Sequence, residues 1–208
     1  VSSTAVTLGF ARLSRDRGGL ARPLAAGILT ATAVSIARGV LLAALFAPAL
    51  LPLLALPLGA MAAVALGGAA LLWRRPAGDP PERPHFDNPV GLRAAIGFGL
   101  LVALVQILIS AARTEVGDTG VVALAAITGF ADIDALTLSV ARLVPGGLEP
   151  GIAAMAIVVA ILSNTAAKAA MAVGFGGGAL RRLVLPALAA VLAAGGGTAG
   201  ALALAAAG

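Results

Sequence analysis

The chain has 208 residues, of which 60% are hydrophobic and only 11% are charged, and its mean hydropathy is +1.05. Soluble domains normally carry about 25% charged residues, so the composition predicts an all-α bundle of transmembrane helices with the lipid bilayer as its partner. The sequence holds no cysteine and one histidine, which excludes disulfides and multi-histidine metal sites. The chain carries a net charge of +5, but its basic residues are not interleaved with aromatic side chains on which bases could stack. No nucleic-acid partner is therefore expected.

The first predicted elements lie in residues 1–75, interpreted as the first of two repeats. Residues 1–13 predict half a membrane span, and arginines follow it. Residues 23–46 and 53–73 are each long enough to cross a hydrocarbon core of about 30 Å. Trp73, followed by Arg74 and Arg75, is typical of a membrane interface. The chain begins with Val1 inside the repeated segment, so we expect the first repeat to lack its leading part.

A proline-rich stretch separates the first repeat from the second. Residues 76–91 contain five prolines and mixed charges, which predicts an exposed loop on the cytoplasmic side. Residues 92–208 form the second repeat, with predicted spans at 92–112, 119–143, 151–173 and 183–207. The span at 119–143 is expected to break near Gly129 and Asp132.

The repeat is seen by comparing residues 1–13 with residues 131–143. Six positions are identical at a constant spacing of 130 residues, as in Thr7 and Thr137: Ala5/Ala135, Thr7/Thr137, Leu8/Leu138, Ala11/Ala141, Arg12/Arg142 and Leu13/Leu143. A repeat with an even number of crossings is parallel, and one with an odd number is inverted. Both kinds are typical of transporters, and the sequence leaves the choice open.

The distribution of arginines predicts which loops face the cytoplasm. The arginine-rich loops at 12–22 and 74–93 are expected to be cytoplasmic. If every span crosses, residues 113–118 lie outside, 143–150 inside and 174–182 outside. Arg181 and Arg182 then violate the positive-inside preference, and a re-entrant segment at 119–143 would reverse everything that follows it.

Two carboxylates mark the first candidate site. Asp132 and Asp134 replace Ser2 and Thr4 of the first copy and fall near the centre of span 119–143. A charge at that depth costs about 2.5–3.5 kcal/mol on insertion scales, so it requires a reason. One interpretation is structural, with Asp132 capping a half-helix. The other is a cation or proton site, because carboxylates and freed carbonyls bind hard cations.

A second polar cluster lies within span 151–173. Asn164 and Lys168 are four residues apart and share one helix face. Lys168 either pairs with Asp132 or Asp134 or extends to the nearer membrane surface. The hypothetical ion or proton site comprises Asp132, Asp134, Thr137, Ser163, Asn164, Thr165 and Lys168. Its first-repeat counterparts are Ser2, Ser3, Thr4, Thr7 and Arg38, and the uncharged members of that set are the nearest expected partners of Arg38.

These motifs carry a resemblance to a known family. The segments VSSTA-x-TL-xx-AR, GFADIDALTLS, SNT-xx-K and DNPVGLRAAIGFG resemble the uncharacterised C-terminal membrane domain of MgtC/SapB-type bacterial proteins. The resemblance implies a multi-pass protein of the bacterial inner membrane, and it supplies neither a substrate nor a catalytic residue.

The leading functional hypothesis is a transporter or channel-like protein for a small cation or protons. The alternative is a non-transporting regulator that binds another membrane protein, or a second copy of itself, through small-residue helix faces. No enzyme is expected, because Asp132 and Asp134 lie on one segment and cannot meet from separate helices as a catalytic dyad. No cofactor is required, a bound cation remains open, and its identity is unknown.

Overall fold

A computed structural model describes residues 2–74, 100, 103–105, 107–111, 114–115 and 117–207. Within these residues the chain is helical and contains no strand. The helices are α1 (Ser3–Asp16), α2 (Ala21–Phe46), α3 (Leu51–Trp73), α4 (Asp118–Ala131), α5 (Ile133–Leu143), α6 (Pro150–Phe175) and α7 (Gly178–Ala207). Short 3₁₀ turns at Gly18–Leu20 and Pro48–Leu50 precede α2 and α3.

Four helical segments of the described chain are long and apolar enough to cross a membrane. They are Gly18–Phe46, Pro48–Trp73, Pro150–Phe175 and Gly178–Ala201. A helix of 26 residues, such as α6, is roughly 39 Å long at 1.5 Å per residue, which exceeds the hydrocarbon core. The predicted spans 23–46, 53–73, 151–173 and 183–207 are therefore confirmed. The predicted loop 76–91 lies outside the described residues, and span 92–112 does so in part.

The helices form two compact units. The described residues of the first unit are 2–37, 56–74 and 164–207. Those of the second unit are 38–55 and the described residues between 100 and 163. The long helices α2 and α6 therefore each contribute one half to each unit.

The core of the first unit fixes the direction of its helices. Its buried cluster combines Leu24 and Ile28 near the start of α2 with Ala172 near the end of α6. It also contains Ala69 near the end of α3, and Leu180, Val184 and Leu188 near the start of α7. Consequently α2 starts where α6 ends, and α3 ends where α7 starts. Within this unit α2 runs antiparallel to α6.

Polar contacts tie the end of α1 to the turn between α6 and α7. The Ser14 hydroxyl accepts a hydrogen bond from the Gly177 N–H at 2.9 Å, and Arg15 donates to the Gly174 carbonyl at 2.7 Å. The Arg12 guanidinium carbon lies 5.3 Å from the ring centroid of Phe175, within cation–π range. A Cβ at Gly177 would lie 2.6 Å from the Ser14 carbonyl oxygen, so only glycine allows this close approach.

These contacts bear on the two alternatives for sidedness that the sequence left open. If every span crosses, 143–150 lies on the side of 12–22 and 174–182 lies opposite; if 119–143 is re-entrant, these two loops exchange sides. In the structure 12–22 and 174–178 lie together, while 143–150 precedes the opposite end of α6. This arrangement fits the re-entrant alternative, in which 119–143 does not cross fully. Arg181 and Arg182 then lie at the same end of the helices as Arg12 and Arg15, as the positive-inside preference requires.

In the second unit, α5 runs parallel to the end of α2. Arg38 of α2 pairs with Asp134, and Phe46 of α2 lies under Arg142, whose guanidinium carbon is 5.2 Å from the ring centroid. The two contacts have the same separation of 96 residues, as expected for parallel helices in constant register. Helix α4 runs antiparallel to α6, because Ser163 bonds the Ala126 carbonyl while Gly129 lies against Ala160.

This topology makes a prediction that site-directed labelling tests. The chain lacks cysteine, so single cysteines can be placed at the exposed positions Gly19, Gly146 and Gly178. We expect an impermeant maleimide to label Gly19→Cys and Gly178→Cys from the same side of the membrane. Gly146→Cys is expected to react only from the opposite side. Labelling of Gly19→Cys and Gly178→Cys from opposite sides would contradict these helix directions.

Candidate functional site

The candidate site begins at the break between α4 and α5. Asp132 leaves helical geometry with φ −152° and ψ 124°. Its Oδ1 accepts hydrogen bonds from the N–H groups of Asp134 at 2.7 Å and Ala135 at 3.1 Å. The predicted break and the predicted cap are both confirmed. An aspartate suits this position because it satisfies free N–H groups and its charge is stabilised at the positive end of the helix dipole.

Helix α1 also begins with a side-chain N-cap, at the position that corresponds to Asp132 in the first copy. Ser2 is its N-cap residue, and its hydroxyl accepts a hydrogen bond from the Ala5 N–H at 3.4 Å. Ser2 and Asp132 are 130 residues apart, as are Ala5 and Ala135. The first copy therefore caps its helix with a neutral hydroxyl, whereas the second copy uses a carboxylate.

An ion pair joins Asp134 to Arg38. The Arg38 guanidinium donates from one terminal nitrogen to Asp134 Oδ2. The Asp134 side chain is only 17% exposed, whereas that of Arg38 is 41% exposed. The expectation that Arg38 would find uncharged partners among Ser2, Ser3, Thr4 and Thr7 is therefore wrong. The acid comes from α5 because constant register with α2 puts Arg38 beside the first turn of α5.

A cavity of about 230 Å³ opens beside the ion pair. Its walls are Arg38, Leu41 and Leu42 from α2, and Asp134 and Leu138 from α5. Among the described residues of the second unit, three buried polar atoms have no hydrogen-bond partner: Arg38 Nε, Asp134 Oδ1 and Thr137 Oγ1. Of these residues, Arg38 and Asp134 line the cavity. Buried polar atoms are usually satisfied, so unpartnered atoms on two lining residues suggest a place for a ligand or proton.

The remaining hydroxyls of the predicted site make local contacts. Thr7 and Thr137 are both fully buried, but only the Thr7 hydroxyl donates to a carbonyl in its own helix, that of Ser3 at 2.9 Å. Ser163 donates to the Ala126 carbonyl at 2.5 Å and so connects α6 to α4. Thr4 lies in the first turn of α1. The hydroxyls of Thr7 and Ser163 are therefore structural contacts.

Asn164, Thr165 and Lys168 belong to the first unit. Each is at most 2% exposed, and Lys168 is among the largest fully buried side chains of the described chain. All three make polar interactions. Since Arg12 pairs with Phe175 and Ser14 with Gly177, both 163 residues apart, the same register predicts that Lys168 lies beside the first turn of α1. The pairing of Lys168 with Asp132 or Asp134 stays a prediction.

Mutation of Asp132 measures how much its helix cap contributes to stability, independently of the Arg38–Asp134 ion pair. We expect Asp132→Ala to lower the free energy of unfolding by about 1 kcal/mol, because the N-cap hydrogen bonds are lost. Asp132→Asn keeps an oxygen acceptor and should be close to wild type. Unfolding by sodium dodecyl sulfate in mixed micelles, followed by circular dichroism, measures both. An equal loss in Asp132→Asn and Asp132→Ala would show that the charge of Asp132, and not the cap, is what matters.

The side chains of the candidate site limit which ligand it can bind. Among the described residues no group of three or more His, Cys, Asp or Glu side chains is close enough to hold a metal ion. One Asp132 oxygen is used by the helix cap, and Asp134 already faces a guanidinium. Sequence reasoning identified both acids, but it missed the partnership with Arg38 and the leucine walls of the cavity. The available signal was Arg38 itself, a cation in the middle of an apolar helix.

These features define a helical membrane protein with an ion pair and a cavity beside a helix break. The chain belongs to the family described as Domain of unknown function (DUF4010), which matches residues 1–176. It is 32% identical over 178 residues to an uncharacterized protein of Aquifex aeolicus (strain VF5), covering 84% of this chain and 77% of the relative. No solved structure shows a significant match. The expected uncharacterised family is confirmed, and the link to MgtC/SapB-type proteins stays a prediction.

Proposed function

We propose that the protein is a proton-dependent transporter of the bacterial inner membrane and that Asp134 is the residue that gains and loses the proton. The observation that carries the proposal is the Arg38–Asp134 ion pair beside a cavity at the start of a capped half-helix. A carboxylate held by a guanidinium in a membrane helix can be released by protonation. Membrane-embedded carboxylates commonly serve in proton relays.

A proton fits this site better than a metal cation. A cation at Asp134 would lie next to the positive charge of Arg38, and like charges repel strongly where the dielectric constant is low. A proton adds no separate ion to the cavity and needs only the carboxylate. Of the two cargoes that the sequence suggested, we therefore retain protons.

The arrangement of the helices supports a transport role. The N-cap residues Ser2 and Asp132 are 130 residues apart, and each begins a short helix followed by a helix of 26 residues, α2 or α6. These long helices run antiparallel in the first unit. We infer two inverted repeats of three helices, each starting with a short helix whose first turn is capped by a side chain. Inverted repeats with sites at broken helices are a common plan of secondary transporters.

The pattern of contacts between the proposed repeats is reciprocal. Arg12 of the first copy stacks on Phe175 at the end of α6, and Arg142 of the second copy stacks on Phe46 at the end of α2. Each short helix thus packs on the long helix of the other repeat. Inverted repeats predict such reciprocal contacts, and superposition of α1–α2 on α5–α6 remains their direct test.

Charge displacement after a pH jump tests the proposal. Purified protein in proteoliposomes is adsorbed on a solid-supported membrane, and the external pH is lowered. We expect a transient current in the wild type, because proton binding moves charge into the protein. Asp134→Asn should abolish that current, and Glu149→Gln, which removes an exposed acid outside the cavity, should preserve it.

The alternative role as a membrane regulator predicts a different result. If the protein is a regulator, the Arg38–Asp134 ion pair is only structural. The wild type then gives no pH-jump current, while Asp134→Asn still lowers the free energy of unfolding. A wild-type current that persists in Asp134→Asn would exclude Asp134 as the proton carrier and overturn the proposal.

A further inference from the structure

We propose that the Arg38–Asp134 site binds a small organic monoanion, through the Arg38 guanidinium, when Asp134 is protonated. This inference rests on the proposed function and adds the substrate class. It starts from the geometry of the ion pair: Asp134 occupies one terminal nitrogen of Arg38, while Nε of Arg38 is buried without a hydrogen-bond partner. A guanidinium offers five donors in a fork that suits a carboxylate or sulfonate, so most of its capacity is unused.

Charge balance determines the valence of the ligand. At rest the site holds one positive and one negative charge, those of Arg38 and Asp134. Protonation of Asp134 leaves the guanidinium unbalanced, and an isolated charge at this depth is costly. One monoanion restores neutrality, whereas a neutral molecule leaves a net positive charge and a dianion adds a negative one. The proton goes to the Asp134 carboxylate, the guanidinium stays protonated, and no covalent bond other than this O–H changes.

Among the described residues, Asp132 is a further charged group near the ion pair. Its negative charge is stabilised by the positive end of the α5 dipole, where its carboxylate accepts hydrogen bonds from two backbone N–H groups. The second-unit part of α6, residues 150–163, contains no ionisable side chain, and α4 contains only Asp118 at its far end. The one cation that faces Asp134 from a neighbouring helix of this unit is Arg38 among the described residues.

The cavity walls determine the body of the ligand. Apart from the ion pair, the lining consists of Leu41, Leu42 and Leu138. The volume is about 230 Å³, which is room for a small ligand. The site therefore suits an anion with a short alkyl body.

Calorimetry with two probes tests the inference. Sodium 1-propanesulfonate and sodium butyrate are titrated into the full chain in a non-ionic detergent, in buffers of different ionisation enthalpy. We expect binding with uptake of about one proton per anion, and an affinity that falls about tenfold per pH unit where Asp134 is ionised. Asp134→Asn imitates the protonated acid, so it should bind both probes without proton uptake and independently of pH.

Arginine variants provide the matched controls. Arg38→Met should bind neither probe. Arg142→Met removes an arginine of the same unit that lies outside the cavity, and it should bind like the wild type. Equal binding by Arg38→Met and the wild type would overturn the inference. So would pH-dependent binding in Asp134→Asn, a variant that does not depend on Arg38→Met folding correctly.

The source of the anion is part of the test. Sodium decanesulfonate represents an anion that comes from the lipid phase. If it binds through Arg38 while propanesulfonate and butyrate do not, the guanidinium serves a lipid-derived anion and the inference is overturned. If Asp134→Asn abolishes the pH-jump current but no probe binds, the proposed function stands and this inference fails. Proton-linked binding of the small probes without any pH-jump current would support this inference and contradict the proposed transport function.

Discussion

Replacement of Asp134 by leucine is expected to lower the free energy of unfolding by about 2 kcal/mol, the largest effect of any single acid in the described chain. The change leaves Arg38 without its counter-charge in a membrane helix. Breaking a fully buried pair costs about 3–5 kcal/mol. The value is set lower here because the Arg38 side chain is 41% exposed and therefore partly screened.

A double-mutant cycle separates the ion pair from other effects of the leucine. In Arg38→Met with Asp134→Leu both charges are gone, so the double variant should be more stable than the sum of the single losses predicts, by about 1–2 kcal/mol. Unfolding by sodium dodecyl sulfate in mixed micelles measures each corner of the cycle. The same cycle with Lys168→Met tests the pairing that the sequence suggested. Strict additivity of Arg38→Met and Asp134→Leu would show that the ion pair contributes nothing to stability.

Addition of one methyl group at Gly129 is expected to have a comparable effect. A Cβ at this position would lie 2.5 Å from both the Cα and the carbonyl oxygen of Ala160. These are backbone atoms of α6, so no side chain can rotate away, and α4 must separate from α6. We expect Gly129→Ala to lower the free energy of unfolding by about 2–3 kcal/mol, at the upper end of typical overpacking costs.

Another helical glycine provides the control. Nothing lies within 4 Å of a Cβ built on Gly59 in α3. Since alanine is the better helix former by about 1 kcal/mol in water, Gly59→Ala should be neutral or slightly stabilising. The micelle unfolding assay compares the two variants directly. If Gly129→Ala is as stable as Gly59→Ala, the close contact between α4 and α6 is wrong.

The local features of this fold were predictable from the sequence. Hydropathy located the four long helices to within a few residues, because length and apolar composition are sufficient for that purpose. The glycine and aspartate pattern at 129–132 located the break, because capping is determined by a few adjacent residues. The pairing of Arg38 with Asp134 was not predictable in this way, because it depends on the register of two helices separated by 96 residues.

The direction of the helices was also beyond the sequence. Counting crossings requires knowing which apolar stretches cross, and one error reverses every later loop. The hydrogen bonds of Ser14 and Arg15 to the turn after α6 determine the direction of these helices. They depend on a close approach at Gly177 that no local pattern reveals. Glycine-rich turns are common, and nothing in residues 174–178 alone specifies which helix end they contact.

The attachment of α5 at both of its ends determines how it can move. Asp134 near its start and Arg142 near its end both contact the same helix, α2. We therefore expect α5 to follow a tilt of the second half of α2 as long as both contacts are made. The helix break at Asp132 separates α5 from α4 and is the place where the backbone can bend. Loss of the Asp134 charge removes the contact at the start of α5 while the Arg142–Phe46 contact at its end remains, so we expect neutralisation to loosen the start of α5 first.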